Sequence, residues 1–156
     1  MRKRTRLSHI LIVEEDPKQR ESIIAPLTEQ GYDVVGVGSA QEALAQTKED
    51  NFGAAIIELH LPDEDGITLL EKLKSSSLGI RVIIYTDHCS LDSAKDAVNL
   101  GAFAYIEKGK EMSELLRQVD RAMRSQLDQY AKELEEAVAE RTATLQEREE
   151  RFRQLA

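Results

Sequence analysis

The stretch Ile10-Leu11-Ile12-Val13-Glu14-Glu15-Asp16-Pro17 is the part of the chain that decides the fold. Its four apolar residues show no polar alternation, which is typical of a central parallel strand covered by helices on both faces. Three acids end the run, and Asp16 before Pro17 fits a helix N-cap followed by proline at the first helical position. We therefore predict a strand that passes directly into a helix, with carboxylates at the junction.

The same strand-then-helix pattern recurs along the chain. The five predicted strands are His9–Val13, Tyr32–Val37, Ala54–Ile57, Arg81–Tyr85 and Phe103–Ile106. Gly31 closes the first intervening helix, and Ser39 and Glu42 have the spacing of a capping box for a second helix that runs to about Asp50. Gly66 precedes a third helix. Residues 90–100 are predicted to form a fourth, which Gly101 closes. Strands alternating with helices predict an α/β domain with a doubly wound, five-stranded parallel sheet.

Composition excludes several classes of protein. The 156 residues suffice for one domain and an appendage, and the net charge of -8 argues against nucleic acid as the main partner. The basic residues Arg2, Lys3, Arg4 and Arg6 belong to a segment, residues 1–6, that we interpret as a solvated tail. The apolar run at residues 10–13 is too short for a signal peptide or a membrane span. We predict a cytoplasmic protein without membrane contact.

The chain has one cysteine, Cys89, which excludes an intramolecular disulfide and fits a reducing compartment. We expect its thiol to be partly buried and inert. The chain therefore has no disulfide bond within itself that could stabilise the fold.

Polar side chains follow four of the predicted strands. The acids Glu14, Glu15 and Asp16 follow the first, and Glu58, Thr86 and Lys108 follow the third, fourth and fifth. The carboxyl ends of parallel strands share one edge of the sheet, and functional sites of such sheets lie there. Clustered carboxylate oxygens suit magnesium, while a hydroxyl and an ammonium can hold a phosphoryl group. Each residue alone is commonplace, but four at matching strand ends predict a site.

These residues lie in strings that resemble the landmarks of response-regulator receiver domains. The strings are residues 10–17, residues 59–66 (LHLPDEDG), Tyr85-Thr86 and residues 101–108 (GAFAYIEK). The resemblance covers residues 7–124 and implies the flavodoxin-like receiver fold. It also implies that two acids hold magnesium, that an aspartate accepts a phosphoryl group from a histidine kinase or phosphotransfer protein, and that a hydroxyl, a lysine and a reorienting aromatic residue respond. Those roles fall on Glu14 and Glu15, Glu58, Thr86, Lys108 and Tyr105.

Three departures from the family pattern are visible. Glu58 stands at the position of the acceptor aspartate, and its extra carbon–carbon bond, about 1.5 Å, misplaces the nucleophile for in-line attack. Glutamates at positions 14, 15 and 58 crowd the metal site, so metal binding is expected to be weak or lost; no cofactor is expected beyond a possible weak magnesium ion. Gly109 replaces the proline that normally follows the lysine, which frees that loop.

The last stretch has a different character. Residues 112–155 contain neither proline nor glycine, and a helix of that length would span about 66 Å, so we expect it to extend beyond the domain. Leu116, Val119, Met123 and Leu127 are expected to pack on the sheet. From Ala131 onward the pattern is a heptad. Its predicted core positions are Ala131, Leu134, Val138, Arg141, Leu145, Arg148, Phe152 and Leu155.

We interpret residues 125–156 as a signalling-helix coiled coil that forms a parallel homodimer, because an isolated helix with so few apolar residues would fray. A solvated helix pair is the alternative. The triplet Glu140-Arg141-Thr142 resembles signalling helices, and residues 149–156 resemble the start of a PAS domain. A downstream PAS or kinase module, in a longer sensor kinase or regulator, is therefore expected. The long helix has no histidine, so no kinase activity is expected and the fragment is predicted not to be an enzyme.

The resulting hypothesis is a degenerate receiver in a two-component system, acting as a dimeric interaction and relay module that is not phosphorylated in the ordinary way. Two alternatives stay open. Glu58 and Lys108 can form an ordinary structural ion pair in a fold that no longer switches. Alternatively, Glu58 still accepts a phosphoryl group, since acyl phosphates on glutamate are chemically allowed.

Overall fold

The computed structural model describes residues 7–76, 79–109 and 111–155, so the predicted basic tail lies outside the described residues. Strands and helices alternate along these ranges. The strands are β1 His9–Val13, β2 Asp33–Val37, β3 Ala54–Ile57, β4 Arg81–Thr86 and β5 Ala104–Glu107, and the helices are α1 Pro17–Glu29, α2 Ala40–Glu49, α3 Gly66–Ser76, α4 Leu91–Asn99 and α5 Met112–Leu155. Predicted strand bounds were correct for β1 and β3 and wrong by a residue at β2, β4 and β5.

The five strands form one sheet in the order β2-β1-β3-β4-β5, and every pairing is parallel. This is the predicted doubly wound architecture. The register pairs Val13 with Ile57 and Ile57 with Ile84. The carboxyl ends of β1, β3 and β4 are therefore level with one another, which brings the polar residues that follow them to one edge.

Each face of the sheet carries its own apolar cluster. Along β1, Leu11 and Val13 belong to one cluster, while Ile10 and Ile12 belong to the other. All four side chains are buried. The lack of polar alternation in this strand is thus explained, because helices cover both faces of the sheet.

The predicted helix starts are confirmed at two caps. Asp16 accepts a hydrogen bond from the Lys18 amide at 2.9 Å. Ser39 accepts one from the Glu42 amide at 3.2 Å. The Glu42 carboxylate, however, accepts from the Gly38 amide at 3.4 Å, so the reciprocal half of the capping box is displaced by one residue.

A second carboxylate also caps α2, and it was not predicted from the sequence. Asp63, in the loop after β3, accepts hydrogen bonds from the amides of Ala40 at 3.0 Å and Gln41 at 2.9 Å. These bonds lower the pKa of the Asp63 carboxyl. The loop that follows β3 is therefore tied to the neighbouring helix.

Gly66 begins α3 where the backbone folds back on the end of β3. A Cβ at this position would lie 2.9 Å from the Leu59 Cα and closer still to the Glu58 carbonyl oxygen. The Gly66 amide donates to the Leu59 carbonyl at 2.7 Å. No side chain fits here, so the turn that presents Glu58 depends on glycine.

The long helix has the predicted bounds, but the buried stripe differs from the prediction. Leu115, Val119, Ala122, Met123 and Gln126 are buried on α5. Leu116 is half-buried, and Leu127 is 53% exposed. The expectation that Leu127 packs on the sheet was therefore wrong, because the buried residue that follows Met123 is Gln126, three positions later, rather than Leu127, four positions later.

The chain divides into two compact units, Met1–Gln126 and Leu127–Ala156. Within the second unit, every predicted core position of the heptad is exposed in the single chain, including Leu134 at 48% and Phe152 at 77%. Among the described residues, no helix is both long enough and apolar enough to cross a lipid bilayer.

Candidate functional site

Glu58 is the first residue after β3, and only 6% of it is exposed. Its Oε1 accepts hydrogen bonds from the Leu59 amide at 2.9 Å and the His60 amide at 3.4 Å. The same oxygen accepts a short hydrogen bond from the Thr86 hydroxyl. Its Oε2 lies 2.6 Å from the Lys108 ammonium. Both oxygens of the carboxylate therefore have partners.

Lys108 is the first residue after β5, and its side chain is 9% exposed. Besides Glu58, its ammonium contacts the Gln19 Oε1 at 2.6 Å and the Glu14 Oε1 at 3.4 Å. It also lies 5.7 Å from the centre of the Tyr85 ring. Three oxygen acceptors from three segments of the chain thus surround one cation.

Burial and pairing have opposing effects on these groups. Burial raises the pKa of Glu58, but hydrogen bonds from Lys108 and Thr86 and the charge of Lys108 outweigh it, so this pKa lies below its ordinary value. Burial lowers the pKa of Lys108, yet contact with Glu58 outweighs it and raises this pKa. The two side chains therefore form an ionised pair at neutral pH.

The three acids after β1 have three different environments. Glu14 is buried, and its pKa is raised by burial and by the charge of Glu58, although Lys108 acts to lower it. Its Oε2 has no hydrogen-bond partner among the described residues. Glu15 is exposed, and Asp16 serves as the cap of α1. Of the predicted metal-site residues, the structure thus brings Glu14 and Glu58 into contact with Lys108, while Glu15 lines the same cleft at an exposed position.

Thr86 and Tyr105 each make hydrogen bonds with the segment between β4 and the start of α4. The Thr86 hydroxyl donates to Glu58 and accepts from the His88 amide at 3.0 Å. The Tyr105 hydroxyl lies 2.6 Å from the Ser93 hydroxyl and accepts from the Ser90 amide at 3.3 Å. Tyr105, the residue on β5 to which the resemblance assigns the reorienting aromatic role, is therefore held against the start of α4.

Two histidines cover the site, and the sequence did not single them out. The rings of His60 and His88 are 4.0 Å apart between centroids. Each follows a site residue by two positions, His60 after Glu58 and His88 after Thr86. Together with the side chains of Glu14, Glu58 and Lys108 they line a cleft of about 500 Å³. The matching spacing of two in each loop was the only sequence signal.

Gln19 was also missed by the sequence analysis. It lies on the first turn of α1, three residues after Asp16, and supplies a neutral oxygen to Lys108. A glutamine on an exposed-looking helix start carries no pattern of its own. Only the tertiary contact identifies it as part of the site.

Two expectations near the site have an outcome in the structure. Cys89 is exposed rather than partly buried, because it lies in the loop between β4 and α4 instead of continuing the strand. Gly109 has φ +88, a left-handed conformation that proline cannot adopt. The loop after Lys108 thus follows a path available to glycine.

The sequence profile described as response regulator receiver domain matches residues 10–120. The chain belongs to this family. FixJ of Bradyrhizobium diazoefficiens, a transcriptional regulatory protein, is 30% identical over 147 residues, covering 93% of this chain and 71% of FixJ. GlrR of Escherichia coli K12, also a transcriptional regulatory protein, is 27% identical over 135 residues, covering 86% of this chain and 30% of GlrR.

The fold of this receiver is similar to that of solved receivers. The CheY-like receiver domain protein of Methanospirillum hungatei superposes with a TM-score of 0.75 and 32% identity, over 78% of this chain and 98% of that one. The flavodoxin-like receiver fold predicted from the sequence is therefore confirmed.

Receivers are expected to hold magnesium at the acids after β1 and β3. In this receiver Lys108 lies between Glu14 and Glu58, and Glu15 is exposed. Within residues 7–76, 79–109 and 111–155, no three histidine, cysteine, aspartate or glutamate side chains are arranged so that they could hold a metal ion. The Lys108 ammonium therefore supplies the positive charge beside these two carboxylates.

Proposed function

We propose that this receiver is a two-component relay module in which Glu58 replaces the phosphorylated aspartate permanently. One observation supports this above all: the Glu58 carboxylate contacts both Thr86 and Lys108. These are the groups that the family pattern assigns to the phosphoryl oxygens. The longer side chain brings a negative charge to them without a phosphoryl group.

The same contacts argue against ordinary phosphotransfer. A nucleophilic carboxylate needs one oxygen free and aligned with the phosphorus atom. Glu58 Oε1 is engaged by the Thr86 hydroxyl and two backbone amides, and Oε2 by Lys108. An attack on phosphorus would require at least one oxygen to lose its partners inside a buried site.

The proposed state does not require magnesium. Lys108 lies between Glu58 and Glu14 and provides the positive charge that offsets them. Gln19 then satisfies a further N–H of the same ammonium. We infer that this receiver uses an internal cation where the family pattern uses a metal ion.

We further propose that the second unit forms a homodimer through its exposed apolar stripe. Leu134, Val138 and Leu145 are 48%, 61% and 53% exposed, and they recur at heptad spacing. A second copy of the same stripe would bury them. The arginines at positions 141 and 148 would make the interface less stable, which suits a helix pair that changes register to transmit a signal.

The partners of this module are proposed from the family. A histidine kinase or phosphotransfer protein would contact the receiver, and a PAS or kinase module would follow the helix in a longer protein. We propose an interaction role in the cytoplasm without catalysis by this chain, since Glu58 is held in an ion pair and the long helix contains no histidine.

Intact mass after incubation with acetyl phosphate and magnesium tests the proposal. The native chain is expected to gain no phosphoryl mass, whereas Glu58→Asp is expected to gain one. Glu58→Ala serves as the control for the other carboxylates near the cleft. A phosphoryl gain on the native chain that Glu58→Ala abolishes would show that Glu58 is a working acceptor. Failure of Glu58→Asp to gain mass would show that the pocket itself no longer supports transfer.

A further inference from the structure

A buried polar cluster lies at the amino ends of the strands, the edge of the sheet opposite Glu58. Gln126 is the last residue of the first unit and is fully buried. Its Nε2 donates to the Gly53 carbonyl at 2.6 Å and to the Gly79 carbonyl. Gly53 immediately precedes β3, and Gly79 lies just before β4, so one side chain of α5 bridges the starts of two central strands.

The orientation of the Gln126 amide follows from its surroundings. Both partners are carbonyl oxygens, which only accept hydrogen bonds, so the two N–H bonds of Nε2 have to face them. The Oε1 atom is then left without a hydrogen-bond partner among the described residues. An unsatisfied buried oxygen is costly. A side chain selected for packing alone would be apolar here.

Both carbonyl groups that Gln126 contacts would have a hydrogen-bond donor even without Gln126. The Gly53 carbonyl also accepts from the Arg81 amide at 3.0 Å, and the Gly79 carbonyl accepts from the Arg81 guanidinium at 2.6 Å. Gln126 uses the second lone pair of each. Its bonds therefore add a positional constraint on α5 rather than filling a gap in the sheet.

A neighbouring hydrogen bond also holds α5 at the start of β4. Arg81, the first residue of β4, donates from its Nε to the Ser125 hydroxyl at 3.1 Å. Two consecutive residues of α5 are thus attached to the same strand start. The rest of the buried face of α5 is apolar, and apolar contacts allow sliding and rotation more readily than directional hydrogen bonds do.

We propose that Gln126 is a positioning residue that fixes α5 against the starts of β3 and β4 at the last turn of the receiver unit. This inference rests on the proposed relay through α5. A structural change at the Glu58 edge of the sheet would reach α5 through the strands. The Gln126 contacts would make this turn of α5 move together with the starts of β3 and β4.

Distance measurements between two spin labels test this proposal. One label is placed on the exposed Cys89 and the other on Arg124→Cys, which is exposed on α5. The labelled chain is diluted with unlabelled chain, so that only distances within one molecule are recorded. Gln126→Met keeps the length of the side chain and removes both N–H donors. It is expected to widen the distance distribution.

Gln118→Met is the matched control. Gln118 is half-buried on the same helix, and among the described residues its amide nitrogen donates to the Glu114 carboxylate, at 3.2 Å. Its replacement is expected to leave the distribution unchanged. Amide exchange of residues 119–126 is expected to be about tenfold faster in Gln126→Met and unchanged in Gln118→Met.

Equal distributions in the native chain and Gln126→Met would overturn the proposal. Should Gln126→Met not fold, Gln126→Asn, which withdraws the amide by one methylene, has to give the same widening. A Glu58→Ala arm separates the two proposals. If Glu58→Ala leaves the mean distance unchanged in the native background while Gln126→Met widens the distribution, the positioning role stands and the proposed relay fails.

Discussion

The Lys108 ammonium lies 2.6 Å from the Glu58 Oε2, and both side chains are more than nine-tenths buried. Lys108→Met would leave Glu58 and Glu14 buried without a cation. Removing one partner of a buried pair typically costs ~3–5 kcal/mol, and we expect a loss in this range from urea unfolding at pH 7. Lys72→Met is the control, because the Lys72 to Glu64 pair is partly exposed and such pairs contribute about 1 kcal/mol or less. Equal losses would contradict a special role for Lys108.

The stability supplied by Glu58 is expected to depend on acidity. Its pKa in the folded chain lies below the ordinary 4.5. The contribution is therefore fully present above that value and is lost as the pH falls through the folded pKa. The free energies of unfolding of the native chain and Glu58→Gln are expected to differ by about 2 kcal/mol at pH 7, since Glu14 and Gln19 still contact Lys108 in the variant. The difference is expected to shrink below pH 4.5; a constant difference down to pH 3 would mean that Glu58 is not an ionised partner.

The pH dependence of the stability contributed by Glu14 is expected to have the opposite sign to that of Glu58. Burial raises its pKa, and its Oε2 has no hydrogen-bond partner among the described residues, so its ionisation costs stability as the pH rises above the unfolded value. Glu14→Gln should therefore be more stable than the native chain at pH 7 by about 1 kcal/mol, with no gain at pH 4. Glu15→Gln, at an exposed position, should change stability by less than about 0.5 kcal/mol. Loss of stability in Glu14→Gln at pH 7 would show that Lys108 needs both carboxylates.

Gly66→Ala is expected to destabilise the receiver strongly. Alanine is normally the better helix residue, but its Cβ would meet the backbone of Glu58 and Leu59. Because backbone has to move, we expect a loss of ~3 kcal/mol in urea unfolding. Gly109→Ala is the comparison. Its φ is +88, but apart from its chain neighbours no described residue lies within 4 Å of the added Cβ, so only the backbone cost of about 1 kcal/mol applies. Similar values for both variants would contradict the steric argument.

The proposed homodimer can be tested by sedimentation equilibrium. Val138→Asp places a charge on the exposed apolar stripe and is expected to raise the dimer dissociation constant by at least about tenfold, which corresponds to ~1.4 kcal/mol. Ala139→Asp, one position away on the same exposed helix, is the matched control and should leave the constant nearly unchanged. A native chain that sediments as a monomer at high concentration would exclude the dimer.

Much of the fold was predictable because it depends on local patterns. The apolar run at residues 10–13, the Asp16 and Ser39 caps and the glycine after α1 each specify a boundary through their own chemistry. Boundaries without such a signal, as at Tyr32 and Phe103, were wrong by one residue. The buried face of α5 was mistaken at Leu127 because a pattern of apolar residues cannot indicate that the polar Gln126 is the one that turns inward.

The site was predictable only where it follows strand ends. Glu14, Glu58, Thr86 and Lys108 converge because parallel strands of matched register end together. Residues on helices and loops were not predictable in this way. Gln19 reaches Lys108 from a helix, and Asp63 caps a helix 22 residues before it in the chain, so neither contact has a local sequence pattern.

The contact between Glu58 and Thr86 has a consequence for timing. An acyl phosphate hydrolyses, and its half-life limits how long a phosphorylated receiver stays in one state. A hydrogen bond between the side chains of two genetically encoded residues has no comparable lifetime, because the state that it stabilises does not depend on a covalent bond that hydrolyses. In a module built this way, duration would have to come from synthesis and degradation of the polypeptide or from the arrival and departure of a partner.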